Sequence, residues 1–170
     1  MSQRVKVAGV GMIPFTKPGA SDDYPVMGEM AARLALEDAG IDYKDVQKAY
    51  VGYVYGDSTA GQAALYGLGL TGIPVVNVNN NCATGSSALF LARQAVAAGV
   101  VDCALALGFE QMNPGALGSA FSDRPSPLKR FFKARKALQG VDKMAPDAAQ
   151  YFGGAGKEDA EQYGTRDETF

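Results

Sequence analysis

Short apolar runs alternate with segments of helical periodicity along the first hundred or so residues of the chain. Runs rich in valine, alanine and tyrosine predict four strands, at residues 5–10, 49–55, 75–79 and 102–107. The last two are almost continuously apolar, which is typical of strands that are buried on both faces of a sheet.

The segments between these strands carry the marks of helices. Apolar positions recur at helical spacing from Met27 to Ala35, after acidic residues and a proline and before Gly40. Residues 59–70 predict a short helix, and residues 83–98 predict a longer one that ends at Gly99. Strands separated by helices indicate βαβ units, and therefore an α/β fold with a mixed, mostly parallel sheet.

The character of the chain changes after Met112. Prolines and glycines interrupt regular structure, and a basic run at 129–136 is followed by helical stretches near 146–151 and 157–163. We therefore predict a first domain at residues 1–112 and a partial loop domain at 113–170. The basic run is either a solvated face or a contact for phosphate groups.

Composition narrows the possible functions. The 170 residues are 47% hydrophobic and 20% charged, with a net charge of -2, as in a globular protein without a nucleic-acid or membrane surface. The sequence has no apolar run of transmembrane length, no secretory signal and no metal-spaced cluster, so we expect no metal. Two cysteines and no histidine exclude a disulfide framework, and also a Cys-His pair formed within this chain.

Cys82 is the most informative residue, because it follows a predicted strand and precedes a small-residue helix. Backbone amides in the first turn of a helix carry partial positive charge, which favours a thiolate. In open α/β sheets, ligands gather at the carboxyl ends of the strands, and Glu110 follows another such end. Cys82 is thus a candidate nucleophile, and the alternative is a buried structural cysteine. Cys103, inside the fourth predicted strand, is expected to be a buried core residue.

At these residues the sequence resembles the thiolase superfamily, and more narrowly the thiolases linked to sterol carrier protein. The resemblance rests on residues 51–59, on 71–89 around Asn-Cys-Ala-Thr-Gly, on 104–110 and on 154–158. Several long motifs occur in the family's order, and the match runs from about Val5 to Tyr163.

The resemblance implies a five-layered αβαβα fold made of two similar halves, and acyl transfer between an enzyme cysteine and coenzyme A in fatty acyl or sterol side-chain breakdown. It implies that Cys82 is the nucleophile and that its own N–H helps to hold an oxyanion. Gly85, Glu110 and Met112 would line the substrate pocket. Coenzyme A would be a co-substrate, with no tightly bound cofactor, and a homodimer would form through the strand at 75–79.

The resemblance also predicts what this chain lacks. The family's catalytic histidines and second cysteine belong to a C-terminal half, so we expect an N-terminal part that is inactive alone. The alternatives are a non-catalytic acyl-CoA or lipid-binding module, a partner subunit, or a thiolase-like aldolase. The expected location is peroxisomal in a eukaryote and cytoplasmic in a bacterium.

Overall fold

The computed structural model describes residues 4–114, 121, 123–142, 144–166 and 168–169. These residues fall into two compact units, at residues 1–114 and 115–170. The two units are described separately.

The first unit is built on a three-stranded parallel sheet. Its strands are β1 (Lys48–Gly52), β2 (Val75–Val78) and β3 (Ala104–Gly108), in the order β2-β1-β3. Val51 of β1 lies opposite Asn77 of β2 and Leu107 of β3. The mostly parallel sheet predicted from the alternating pattern is confirmed, and the α/β class with it.

Helices cover both faces of this sheet. On one face, α1 (Tyr24–Ala39) and α2 (Ala60–Tyr66) contribute to a core that includes Val51 and Leu107. On the other face, α3 (Thr84–Ala97) packs its small side chains against Tyr50. A short 3-10 turn at Tyr43–Asp45 leads into β1. The alanines of α1, α2 and α3 allow close approach, so the sheet is sandwiched between two thin helical layers.

The prediction of a first strand at residues 5–10 is wrong. This segment has no strand partner and instead lies along α1, where a side-chain carbon at Gly9 would fall 2.5 Å from the carbonyl oxygen of Ala35. Val10 N–H is bonded to the carboxylate of Asp38 at 2.8 Å. A groove of about 980 Å³ is lined by this segment and by β3, together with α1 and α3. A strand requires a neighbour for its ladder, and no described residue supplies one here.

The predicted strand at residues 49–55 ends early, at Gly52. Beyond it, the backbone N–H groups of Val54 and Tyr55 turn to the carboxylate of Glu110 instead of to a neighbouring strand. Cys103 is also outside its predicted strand, since β3 begins one residue later, at Ala104. It is partly exposed rather than buried, because it lies in the turn that enters the strand.

The second unit contains α4 (Lys129–Gln139) and α5 (Asp147–Tyr163). The basic run forms α4, and the two predicted helical stretches are one continuous helix, α5. Arg135 is buried and joins the two helices through an ion pair of 2.9 Å with Asp147 and contacts with the rings of Phe132 and Tyr151. The other basic side chains of α4 are exposed.

Candidate functional site

Cys82 lies in the elbow between β2 and α3, after the strand ends at Val78 and before the helix begins at Thr84. Its thiol is free and exposed to solvent. The position matches the predicted elbow, although the helix starts one residue later than expected. An exposed thiol at the carboxyl edge of a parallel sheet is accessible to a ligand bound there.

Asparagine side chains shape the elbow through local hydrogen bonds. The amide oxygen of Asn79 accepts the N–H of Asn81 at 3.2 Å, and the amide nitrogen of Asn80 donates to the hydroxyl of Ser87 at 2.9 Å. Asn81 has a positive φ of 48°, a conformation that asparagine tolerates better than most residues. Both bonds stay within the elbow and the first turn of α3, as turn and cap chemistry predicts.

Thr84, the first residue of α3, stabilises the elbow through hydrogen bonds made by its buried side chain. It is 5% exposed, and its hydroxyl accepts the N–H of Asn80 at 2.8 Å and donates to the carbonyl of Asn81 at 2.5 Å. A side-chain carbon at Gly52 would lie 2.7 Å from its methyl group. The glycine at the end of β1 therefore makes room for Thr84. Sequence reasoning missed this residue, although its place two positions after the cysteine was a usable signal.

Glu110 links the ends of β1 and β3. Its carboxylate accepts the N–H of Val54 at 3.0 Å and the N–H of Tyr55 at 2.7 Å. Burial raises the pKa of the Tyr55 phenol, and the neighbouring charges of Glu110 and Cys82 raise it further. Tyr55 therefore lies within electrostatic reach of both predicted site residues.

The residues beside Glu110 anchor the start of α1. Gln111 accepts the N–H of Tyr24 at 2.9 Å and donates to the carboxylate of Asp23 at 3.1 Å. Phe109 stacks between Tyr24 and Tyr53, with ring centroids 5.0 and 5.1 Å apart. These contacts fix the segment that carries Glu110 against the rest of the first unit.

Gly85 and Met112 occupy different surroundings. A side-chain carbon at Gly85 would meet nothing within 4 Å, so the surface at the start of α3 is open. The carbonyl of Met112 accepts the N–H of Gly19 at 3.2 Å, and this residue lines the groove next to the N-terminal segment. The structure thus places Tyr55 near both Glu110 and Cys82, whereas Met112 lines a groove that Cys82 does not line.

Comparison with known protein families identifies the family of the chain. Residues 5–159 match the model of the thiolase N-terminal domain. The chain belongs to the thiolase family. The resemblance noted in the motifs around Cys82 is therefore confirmed over almost the whole chain.

Individual relatives narrow the position within the thiolase family. Sterol carrier protein 2 of Gallus gallus is 55% identical and matches 100% of this chain and 31% of its own length. Non-specific lipid-transfer protein-like 2 of Caenorhabditis elegans is 44% identical over 98% of this chain and 42% of its own. Benzoylsuccinyl-CoA thiolase subunit BbsB of Thauera aromatica is 34% identical over 94% and 41%. The chain therefore spans less than half the length of these relatives.

The second cysteine of this thiolase-family chain lies at the opposite end of the sheet. The N–H of Cys103 donates to the side-chain oxygen of Gln47 at 3.0 Å. Burial raises the pKa of its thiol, and the charge of Asp45 adds to the shift. Cys103 lines the 980 Å³ groove, whereas Cys82 does not.

Two kinds of feature are absent from the described residues. No group of three or more cysteine and carboxylate side chains is placed to hold a metal ion. Among the same residues, no helix combines the length and the apolar character required to cross a bilayer.

Proposed function

We propose that this chain is the cysteine-bearing part of a 3-ketoacyl-CoA thiolase, and that Cys82 accepts the acyl group. The observation that carries the proposal is the exposed thiol of Cys82 in the β2–α3 elbow of a thiolase N-terminal domain. Open space next to Gly85 supports access of a bulky thioester to this thiol.

The proposed chemistry is a thiolytic cleavage. The Cys82 thiolate attacks the 3-keto carbon of a 3-oxoacyl-CoA, and the carbonyl electrons move to an oxyanion held by backbone N–H groups. The carbonyl re-forms, the bond between C2 and C3 breaks, and the C2 carbanion takes a proton and leaves as acetyl- or propionyl-CoA. The acyl group remains on Cys82 as a thioester, until the thiol of a second coenzyme A displaces it.

These reaction steps require an acid–base group. The chain contains no histidine, so it has no imidazole for this role. We therefore expect acylation of Cys82 once per chain, and little or no sustained turnover by this chain alone. Gly85, Glu110 and Met112 are proposed to contact the substrate or to support its pocket. Coenzyme A is the proposed co-substrate.

The test is incubation of the purified chain with acetoacetyl-CoA and coenzyme A. Loss of the 3-ketoacyl absorbance is followed beside intact-mass measurement of the protein. We expect one acyl adduct per chain and no continuing loss of substrate. Sustained turnover that Cys82→Ala abolishes would show a complete site without histidine, and would contradict the proposed division of roles. Absence of any adduct would contradict the proposed nucleophile.

The apolar groove favours a second candidate function, binding of an acyl chain or another lipid without catalysis. The groove holds about 980 Å³, and Val7, Val10 and Met12 of the N-terminal segment expose most of their surface around it. The names of two relatives mention sterol carriage and lipid transfer. Saturable binding of a fluorescent fatty acid that is unchanged in Cys82→Ala and weakened in Val10→Asp would support this function.

The proposed assembly is a homodimer through β2. Among the described residues this strand pairs only with β1, so its other edge is free for a second copy. Sedimentation is expected to show dimers at roughly tens of micromolar, the range in which exposed strand edges associate. A monomer at that concentration would contradict the dimer. The proposed location is peroxisomal in a eukaryote and cytoplasmic in a bacterium.

A further inference from the structure

Thr84 is the buried polar side chain nearest in sequence to Cys82. Only 5% of its surface is exposed, and its hydroxyl accepts the N–H of Asn80 at 2.8 Å and donates to the carbonyl of Asn81 at 2.5 Å. The backbone N–H of Thr84 also donates to the carbonyl of Asn81, at 3.1 Å. Two hydrogen bonds from one residue therefore hold a single carbonyl group.

That carbonyl belongs to the peptide unit that ends in the nitrogen of Cys82. The peptide unit is planar and trans, so its C=O and N–H point in opposite directions. When the carbonyl of Asn81 is held toward Thr84, the N–H of Cys82 is therefore held pointing in the opposite direction within the peptide plane. The positive φ of Asn81 lies in a sparsely populated region even for asparagine, and the two bonds from Thr84 help to hold the backbone there.

The methyl group of Thr84 fixes the hydroxyl in turn. It lies where a side-chain carbon at Gly52 would approach to 2.7 Å, and a carbon at Gly52 would also lie 2.9 Å from the Thr84 carbonyl. The end of β1 thus packs against the methyl group of Thr84, and the elbow forms hydrogen bonds with the hydroxyl. A β-branched residue locked on both branches has one available rotamer, which makes it a rigid support.

We propose that Thr84 is a positioning residue that aims the backbone N–H of Cys82 at the oxyanion formed during acyl transfer. The inference rests on the proposed function, since it assumes that Cys82 is acylated. It adds a specific role to a residue that does not itself touch the reacting atoms. A side chain without the hydroxyl leaves the backbone N–H of Thr84 as the remaining support of the Asn81 carbonyl, so the N–H of Cys82 is held less firmly toward the developing charge.

Two reactions of the same thiol separate this role from simple support of the fold. Acylation by acetoacetyl-CoA passes through an oxyanion, whereas alkylation by iodoacetamide is a direct displacement that forms none. The ratio of the two rate constants therefore reports the oxyanion donor and cancels changes in the exposure of Cys82. Both are measured by mass spectrometry in a Cys103→Ser background, which leaves one thiol.

Thr84→Val has nearly the same shape but no hydroxyl, and Thr84→Ser keeps the hydroxyl. We expect Thr84→Val to lower the ratio of acylation to alkylation by about tenfold or more, on the scale of damage to one oxyanion donor. Thr84→Ser is expected to restore it. Ser87→Ala is the matched control, because among the described residues its hydroxyl bonds the side chain of Asn80 and not the Asn81 carbonyl. If Thr84→Val does not fold, as judged by circular dichroism, Thr84→Ala replaces it.

An unchanged ratio in Thr84→Val, with normal acylation of the parent, would overturn the positioning role and leave the proposed function standing. Absence of acylation in the parent would overturn the proposed function. In that case the amide resonance of Cys82 in ¹⁵N-labelled protein decides the geometry. A shifted resonance in Thr84→Val and not in Thr84→Ser would support the orientation of the N–H, and an unmoved resonance would overturn it.

Discussion

The two cysteines lie at opposite ends of one parallel sheet, and their surroundings differ in kind. Cys82 follows the carboxyl end of β2, where asparagines, Thr84 and Glu110 bind loop backbone through their side chains. Cys103 precedes β3 at the amino end, next to the apolar groove, with its N–H bonded to Gln47. Both thiols are free; Cys82 is exposed, whereas Cys103 is partly buried.

This difference indicates which end of such a sheet suits a reactive side chain. At the carboxyl end, each strand runs into a loop whose N–H groups need partners, and polar side chains supply them while leaving the surface open. At the amino end, the chain enters the sheet through a tight turn, and burial disfavours charge on the thiol. Of the two cysteines, Cys82 combines an exposed thiol with a position at the carboxyl end of the sheet.

The largest expected effect concerns the reactivity of the two thiols. With limiting iodoacetamide near neutral pH, we expect Cys82 to be labelled at least about tenfold faster than Cys103, because Cys82 is exposed and burial raises the pKa of Cys103. Peptide mapping by mass spectrometry measures both sites. Cys82→Ser and Cys103→Ser are the matched controls. Predominant labelling of Cys103 would contradict the proposed difference between the two thiols.

Substitution of the two glycines near the carboxyl end of the sheet, Gly52 and Gly85, is expected to change stability in opposite directions. Gly52→Ala places a carbon 2.7 Å from Thr84 and 2.9 Å from backbone, so we expect a loss of about 1–3 kcal/mol in the free energy of unfolding. Gly85→Ala meets nothing within 4 Å and lies in α3, so we expect a gain of up to about 1 kcal/mol. Urea denaturation measures both. Equal effects would show that Thr84 is not closely packed against β1.

The two N–H groups bound to Glu110 allow its contribution to the stability of the carboxyl end to be measured. Glu110→Ala leaves the N–H groups of Val54 and Tyr55 without their acceptor, at a cost of about 1–3 kcal/mol in unfolding free energy. Glu110→Gln keeps one carbonyl oxygen and should lose less. Glu161→Ala, on an exposed i,i+4 pair with Lys157, is the control and should change the midpoint little. A Glu110→Ala protein as stable as the parent would contradict the linking role.

The smallest expected effect is a pH shift in the labelling of Cys103. A thiol must lose its proton to react, and burial raises the pKa of this thiol above its ordinary value of 9.0. Its labelling should therefore rise at a higher pH than that of an ordinary thiol. The check is a pH series in the Cys82→Ser protein, with the same series in urea as the unfolded reference. Coincident profiles would contradict the shift.

Local patterns in the sequence predicted the parts of the molecule that depend on neighbouring residues. The apolar run before Cys82 and the small residues after it were sufficient to place the elbow, because strand, turn and helix follow each other directly there. The two helical layers followed from the spacing of alanines and leucines in the same way.

Contacts between distant residues could not be predicted in this way. Glu110 bonds Val54 and Tyr55 across more than fifty positions and thereby ends β1 early. Residues 5–10 have the composition of a strand, but the described chain gives them no neighbour to pair with. Arg135, one cation in an exposed-looking run, is buried because Asp147 and two aromatic rings of the second unit surround it.

The central claim, that Cys82 is the acyl acceptor, is tested most directly by locating the adduct. The parent chain, Cys82→Ser and Cys103→Ser are each incubated with acetoacetyl-CoA, digested at low pH to preserve thioesters, and mapped by mass spectrometry. The account predicts one acyl group on the peptide that contains Cys82 in the parent and in Cys103→Ser, and none in Cys82→Ser. An adduct on Cys103, or an adduct that persists in Cys82→Ser, would contradict it.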